Sequence, residues 1–199
     1  TLNLGGTGLV ASSYSQGGGI LENGSLTLNT GTFLLSGGTV GAVLSGSAGV
    51  NVSGEVTLAA AGSYGGSTVL GSGKLQLGTG GALPASTSVV IQAGTGVLAL
   101  GGTNAVVGSF SQTGGRVENG TLTLQSGSFA LGGGTVAAVL SGSAGASVTG
   151  IVTLSQAALY SGTTVLSSGS LRLEGAGLLP VAGTLNLMGG TLSLGGKNQ

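Results

Sequence analysis

VTLAAAGSYGGSTVLGSGKLQL, residues 56–77, decides the fold, because it returns as VTLSQAALYSGTTVLSSGSLRL at 152–173. The first copy holds three short apolar–polar alternations: Val56-Thr57-Leu58, Thr68-Val69-Leu70 and Leu75-Gln76-Leu77. Gly and Ser separate them. Alternation over a few residues between Gly-rich turns predicts short β-strands joined by corners. Such a unit cannot bury its apolar side alone; it needs a copy of itself above and below.

Working outward, the motif belongs to a longer repeat. GGTGLVASSYSQGGG at 5–19 matches GGTNAVVGSFSQTGG at 101–115. The two copies align without a gap from 5–84 to 101–180, an offset of 96 (101 minus 5), with roughly 60% of positions identical. A small deletion near 181–190 shortens the second copy. The chain thus reads as the end of a preceding repeat (1–4), a first repeat (5–100), a second (101–194) and the start of a further one (195–199).

Within the first copy the pattern predicts strands at 26–28, 32–35, 42–44, 50–52, 56–58, 68–70, 75–77, 88–91 and 97–100. The dipeptides between them, GG, SG and NG, tolerate positive φ. No window shows a helical period free of Gly. The expected fold is all-β: a parallel β-solenoid built from two tandem repeats. Two to three strands and roughly 20–24 residues per coil give about four or five rungs per repeat. At about 4.8 Å per rung, a repeat rises roughly 20–24 Å. An antiparallel β-sandwich also has many short strands. The near-exact repeat, the scarcity of aromatics and the regular Gly interruptions favour the solenoid.

Composition narrows the function. Charged residues make up 4% of the chain, against about 25% in ordinary domains. Asp, His, Cys and Trp are absent, and the net charge is zero. No basic patch is present to neutralise phosphates, so nucleic-acid binding is not expected. No apolar run approaches the roughly 20 residues of a transmembrane helix, and the strands are shorter than the about 9–11 residues of a membrane barrel. The lack of Cys fits export through a bacterial envelope. A neutral surface of Ser, Thr, Asn and Gln is expected to respond little to salt or to pH from mildly acidic to alkaline.

Catalytic and metal chemistry find few residues to use. The carboxylates are Glu22, Glu55, Glu118 and Glu174. Glycosidases need a pair at about 5–10 Å. Glu22 and Glu118 are one position in successive repeats, roughly 20 Å or more apart. No catalytic, cofactor-binding or metal-ligating residue is therefore assigned, and the protein is expected not to be an enzyme. Zinc and calcium motifs lack their ligands. Glu22-Asn23-Gly24 and Glu118-Asn119-Gly120 read as turns, since Asn-Gly favours positive φ. The six aromatics form three repeated positions: Tyr14/Phe110, Phe33/Phe129 and Tyr64/Tyr160. Phe33 and Phe129 sit in alternating strands and are expected inside. Tyr14 and Tyr64 are the candidates for an exposed carbohydrate-binding platform.

The pattern V-T-L-x(5)-Y-x-G-x-T-V-L-x-S-G-x-L-x-L, carried by 56–77 and 152–173, resembles the autotransporter-associated β-strand repeat. The preceding GTVGAVLSGSAGVNVSG (38–54) and GTVAAVLSGSAGASVTG (134–150) are similar to what usually precedes that motif. The resemblance implies a secreted right-handed β-helix at the bacterial cell surface, with an adhesive or structural role. The expected function is thus part of a long extracellular bacterial fibre or surface layer, formed by end-to-end stacking or continuation of repeats. The expected partner is the protein itself, head to tail, with lateral bundling as a further mode. The alternative is the passenger stalk of an adhesin that binds a host or glycan surface.

Overall fold

Phe33, Val50, Thr68, Val89, Phe110 and Phe129 are successive rungs of one parallel ladder, each paired with the next. Phe129 is the counterpart of Phe33 in the second repeat, so five coils carry the chain through one repeat. The computed structural model describes residues 1–196. Over those residues the chain is a parallel β-solenoid of about ten turns, with strands and no helix.

Each coil has three sides. The first face stacks 14–16, 33–35, 50–52, 68–70 and 88–91 in the first repeat. It continues through 109–112, 129–131, 146–148, 164–166 and 185–187. The second face runs without interruption from 2–3 to 191–193. The third face joins 7–11, 24–28, 43–46 and 63–64, then stops at a single bridge between Ala61 and Ala82. It resumes as 104–106, 121–123, 139–142 and 159–160, ending at a bridge between Ala157 and Leu178.

The expected coil of roughly 20–24 residues is too long for most of the stack. Leu21 pairs with Val40, 19 residues on; Phe33 pairs with Val50, 17 on; only at Leu75–Leu98 does the step reach 23. The physical reason is the corners. Strands predicted as separate pieces at 26–28, 32–35 and 42–44 are parts of Ile20–Leu28 and Thr32–Gly46, which turn corners without leaving the ladder. Asn23 (φ 56°) and Gly24 (φ 153°) make one such corner, and the register shifts between Glu22 and Ser25 where they sit. At Gly38 (φ 95°) a Cβ would also run into the Gly19 carbonyl oxygen of the coil below. One or two residues of positive φ turn the chain, where a conventional loop needs about four to six. Strands Thr68–Leu70 and Ser88–Ile91 match the predicted spans, and Lys74–Leu77 begins one residue earlier than expected.

Period-2 alternation puts one side chain in two inside. Leu21, Val40, Leu75, Val117, Val136 and Leu171 line the second face and are 0–1% exposed. Phe33, Val50, Val89, Phe110 and Phe129 line the first. Together with the third face's Leu26, Leu44, Leu122 and Leu140 they form one continuous core. The apolar ladders expected from the sequence are these columns.

Candidate functional site

The four carboxylates stand on separate coils. Glu22 pairs in register with Gly41, and Glu55 with Gly37 and Lys74. Glu22 and Glu55 are therefore two rungs apart on the second face, about 10 Å along the axis, and four residues apart along the strand, about 13 Å. Glu118 and Glu174 lie higher in the stack. Glu22 accepts a hydrogen bond from Asn3 Nδ2 at 3.1 Å. Glu118 is ion-paired to Arg116, and Glu174 to Arg172 at 3.0 Å. Glu55 faces Lys74 across one rung and lines a shallow lateral groove with Thr39, Thr57 and Gln76. In the second repeat Ile151 and Ser170 take the places of Glu55 and Lys74, so this polar groove is not a repeated feature. No group of three His, Cys, Asp or Glu able to hold a metal occurs among the described residues. Lys197 lies outside them.

The Asn-Gly pairs hold corners. Asn119 (φ 57°) and Gly120 (φ 155°) repeat the geometry of Asn23 and Gly24 almost to the degree. A Cβ on Gly120 would lie 2.6 Å from the Thr103 carbonyl oxygen.

Burial overturns the exposed-platform expectation for Tyr64, and Tyr14 keeps only part of its ring at the surface. Tyr64 and Tyr160 are 2% and 1% exposed. Each sits at the corner between the third and first faces, with its hydroxyl 2.7 Å from a buried threonine, Thr68 or Thr164. Thr68 Oγ1 in turn lies 3.4 Å from Thr87 Oγ1, and the Thr87 hydroxyl donates to Gly66 O at 2.8 Å. Burial pushes the Tyr64 phenol up to about 12, against the smaller lowering effect of its Thr68 hydrogen bond. Tyr160 is raised for the same reason. Tyr14 is half-buried. Its ring meets Phe33 edge-on at 6.4 Å and its hydroxyl donates to Gln16 Oε1 at 2.9 Å. The alternating V-T-L and S-T-V-L patterns identify the strands but do not show a phenol turned inward; the signal that does is the fixed Tyr-x(3)-Thr spacing in both copies.

Two buried glutamines complete the polar interior. Gln16 Nε2 donates to Gly19 O and Thr39 O, at 3.3 and 3.2 Å. Gln112 Nε2 does the same to Gly115 O and Thr135 O. These bonds tie each corner to the next coil. The sequence shows both as Ser-Gln before a Gly run, which reads only as a turn.

The geometry defines a class, the parallel β-solenoids built from tandem repeats. Compared with known protein families, curated proteins and solved structures, the chain matches none of them.

Proposed function

We propose that this protein is a non-catalytic structural segment of a long extracellular bacterial fibre or surface layer, in which further coils continue the stack at its ends. One observation carries the reading. Leu185 and Leu187 on the last rung of the first face are 40% and 57% exposed, whereas Val89 and Ile91, their counterparts inside the stack, are fully buried. A coil laid on that rung, from a second copy or from the same chain, buries these leucines as the in-chain coils bury theirs. Covering exposed apolar area at about 25 cal/mol per Å² favours the contact. A head-to-tail interface that does not close on itself generates a filament.

Export and a surface location are part of the proposal. Their support is the Cys-free, charge-poor composition and the resemblance of 56–77 and 152–173 to autotransporter-associated repeats. The non-catalytic role is supported by the separation of the carboxylates and by their engagement with Asn3, Arg116 and Arg172.

Electron microscopy of the native material with an axial power spectrum tests the reading. Five coils at about 4.8 Å predict a meridional repeat near 4.8 Å and a longer one near 24 Å. Discrete rods with polar caps at both ends, or short stalks on a membrane anchor, overturn it in favour of an adhesin passenger.

A further inference from the structure

Charge divides the three faces. Every charged side chain among the described residues stands on the second face or at its margin. Glu22, Glu55, Lys74, Arg116, Glu118 and Arg172 belong to its ladder, and Glu174 directly follows its strand Ser170–Leu173. The third face is uncharged, but its ladder is interrupted above the bridge between Ala61 and Ala82. Among the described residues only the first face is both uncharged and unbroken, from Tyr14–Gln16 through every coil to Leu185–Leu187.

Each of its rungs presents five extended residues to this side. In 32–36, 67–71 and 109–113 the second and fourth residues are buried and the other three turn outward, as strand alternation requires. The central outward column runs in register from Ser15 to Asn186, and Leu34 on it is 50% exposed. Ten rungs at about 4.8 Å and five residues at about 3.4 Å make a face of about 48 Å by about 17 Å, about 800 Å². Hydroxyls beside the central column already bond within the sheet. Ser36 Oγ donates to Gln16 O at 3.3 Å, and Ser109 Oγ to Ser88 Oγ at 2.8 Å. Covering these donors leaves them paired.

We propose that the first face is a lateral dimerisation surface, on which a second copy of this chain packs face to face and turned end for end. Three observations identify the occupant. The first is area: two such faces bury about 1,600 Å² together, the size of a standard stable interface. The second is charge: the second faces of both copies stay outside the contact, so no ion loses its water. The third is the pattern along the central column. A two-fold axis across the middle of the stack sets the lowest rung against the highest. Leu34 then meets Val165, Asn51 meets Ser147 and Val69 meets Ala130, apolar on apolar and polar on polar. The end pair, Ser15 and Asn186, is polar on both sides, and only the middle pair, Val90 and Ser111, is mixed. The rung spacing is common to both copies, so the match holds along the whole length. A two-fold contact is self-complementary and closes at two copies. The inference is independent of whether further coils continue the stack at its ends.

Sedimentation of the 199-residue chain over a concentration series should show a reversible monomer–dimer equilibrium. Val69→Lys places a charge inside the contact and should weaken dimerisation by about tenfold or more. Thr57→Lys, on the outward side of the second face, should leave it unchanged. Circular dichroism reports whether each variant keeps the coil. Mixing Val69→Lys chains with Ala130→Glu chains should restore the dimer, because residue 69 of one copy faces residue 130 of the other. The chain has no Cys, so Val69→Cys and Ala130→Cys chains, mixed under oxidising conditions, should cross-link to each other in preference to themselves. Monomers at every concentration overturn the proposal, as does a folded Val69→Lys chain that dimerises like the native one, or cross-linking of residue 69 to residue 69. Growth beyond two copies that Val69→Lys leaves intact also overturns it, and assigns the contact to the ends of the stack.

Discussion

Gln112 and Gln16 hold the same corner in the two repeats, yet their side-chain oxygens differ. Gln16 Oε1 accepts the Tyr14 hydroxyl. In the second repeat Phe110 stands in for that tyrosine, and Gln112 Oε1 is buried without a partner. A buried acceptor left unmade costs about 1–3 kcal/mol. The two ring pairs superimpose in kind, Tyr14–Phe33 at 6.4 Å and Phe110–Phe129 at 6.2 Å, both with 67° between planes. A hydroxyl on Phe110 is therefore aimed at the vacant oxygen. Phe110→Tyr is expected to stabilise the protein by about 1 kcal/mol, raising Tm by about 2–4 °C. A thermal melt showing a lower Tm sinks this account. None of this was legible in the sequence, where Tyr14/Phe110 reads as a conservative exchange. The loss shows only once Gln112 is seen to be interior.

At the scale of strands and corners, the sequence was informative about ladders and poor on where chain segments end. Thr68-Val69-Leu70 and Ser88–Ile91 were read correctly because each is a short run of alternating or β-branched residues bounded by small or polar ones. Thr32–Gly46 was read as two strands because Gly37-Gly38 looks like a stop. Gly38, at φ 95°, bends the chain, and pairing with the next coil resumes at once beyond a register shift between Leu35 and Gly37. Tyr64 was placed outside for a similar reason: Ser63–Tyr64 is a two-residue strand, too short to show which side chain points in. The inward phenol sets a limit on the expected indifference to pH. The fold holds Tyr64 protonated up to about pH 12, while in the unfolded chain it ionises at about 10. Between those values the unfolded chain binds fewer protons, so stability falls as pH rises through 10. The loss reaches about 2–3 kcal/mol near pH 12. Unfolding free energies from urea titrations at pH 8 and pH 11.5 should differ by about 2 kcal/mol in the native chain and by clearly less in Tyr64→Phe. An equal drop in both assigns the alkaline loss elsewhere.

For the molecule as a whole, the repeat of 96 residues was plain in the sequence, and five coils follow from it once the rung spacing is known. What was not legible was the unequal length of those coils, set by corners of one or two residues and by the 23-residue step from Leu75 to Leu98. That inequality has a mechanical consequence. The backbone hydrogen bonds of a parallel solenoid run along its axis, so tension on the ends loads them one coil at a time and not in shear across many. The molecule should behave as a ratchet whose catches are spaced unevenly. Pulled in an optical trap, a 19-residue coil releases about 65 Å of chain at about 3.4 Å per residue. The 23-residue coil releases about 78 Å. A force–extension trace should show a ladder of unequal steps, shortest for the coils of 17 and 18 residues and longest for the 23-residue coil in the middle of the stack. A single rupture releasing the whole contour at once would mean that the coils do not yield separately.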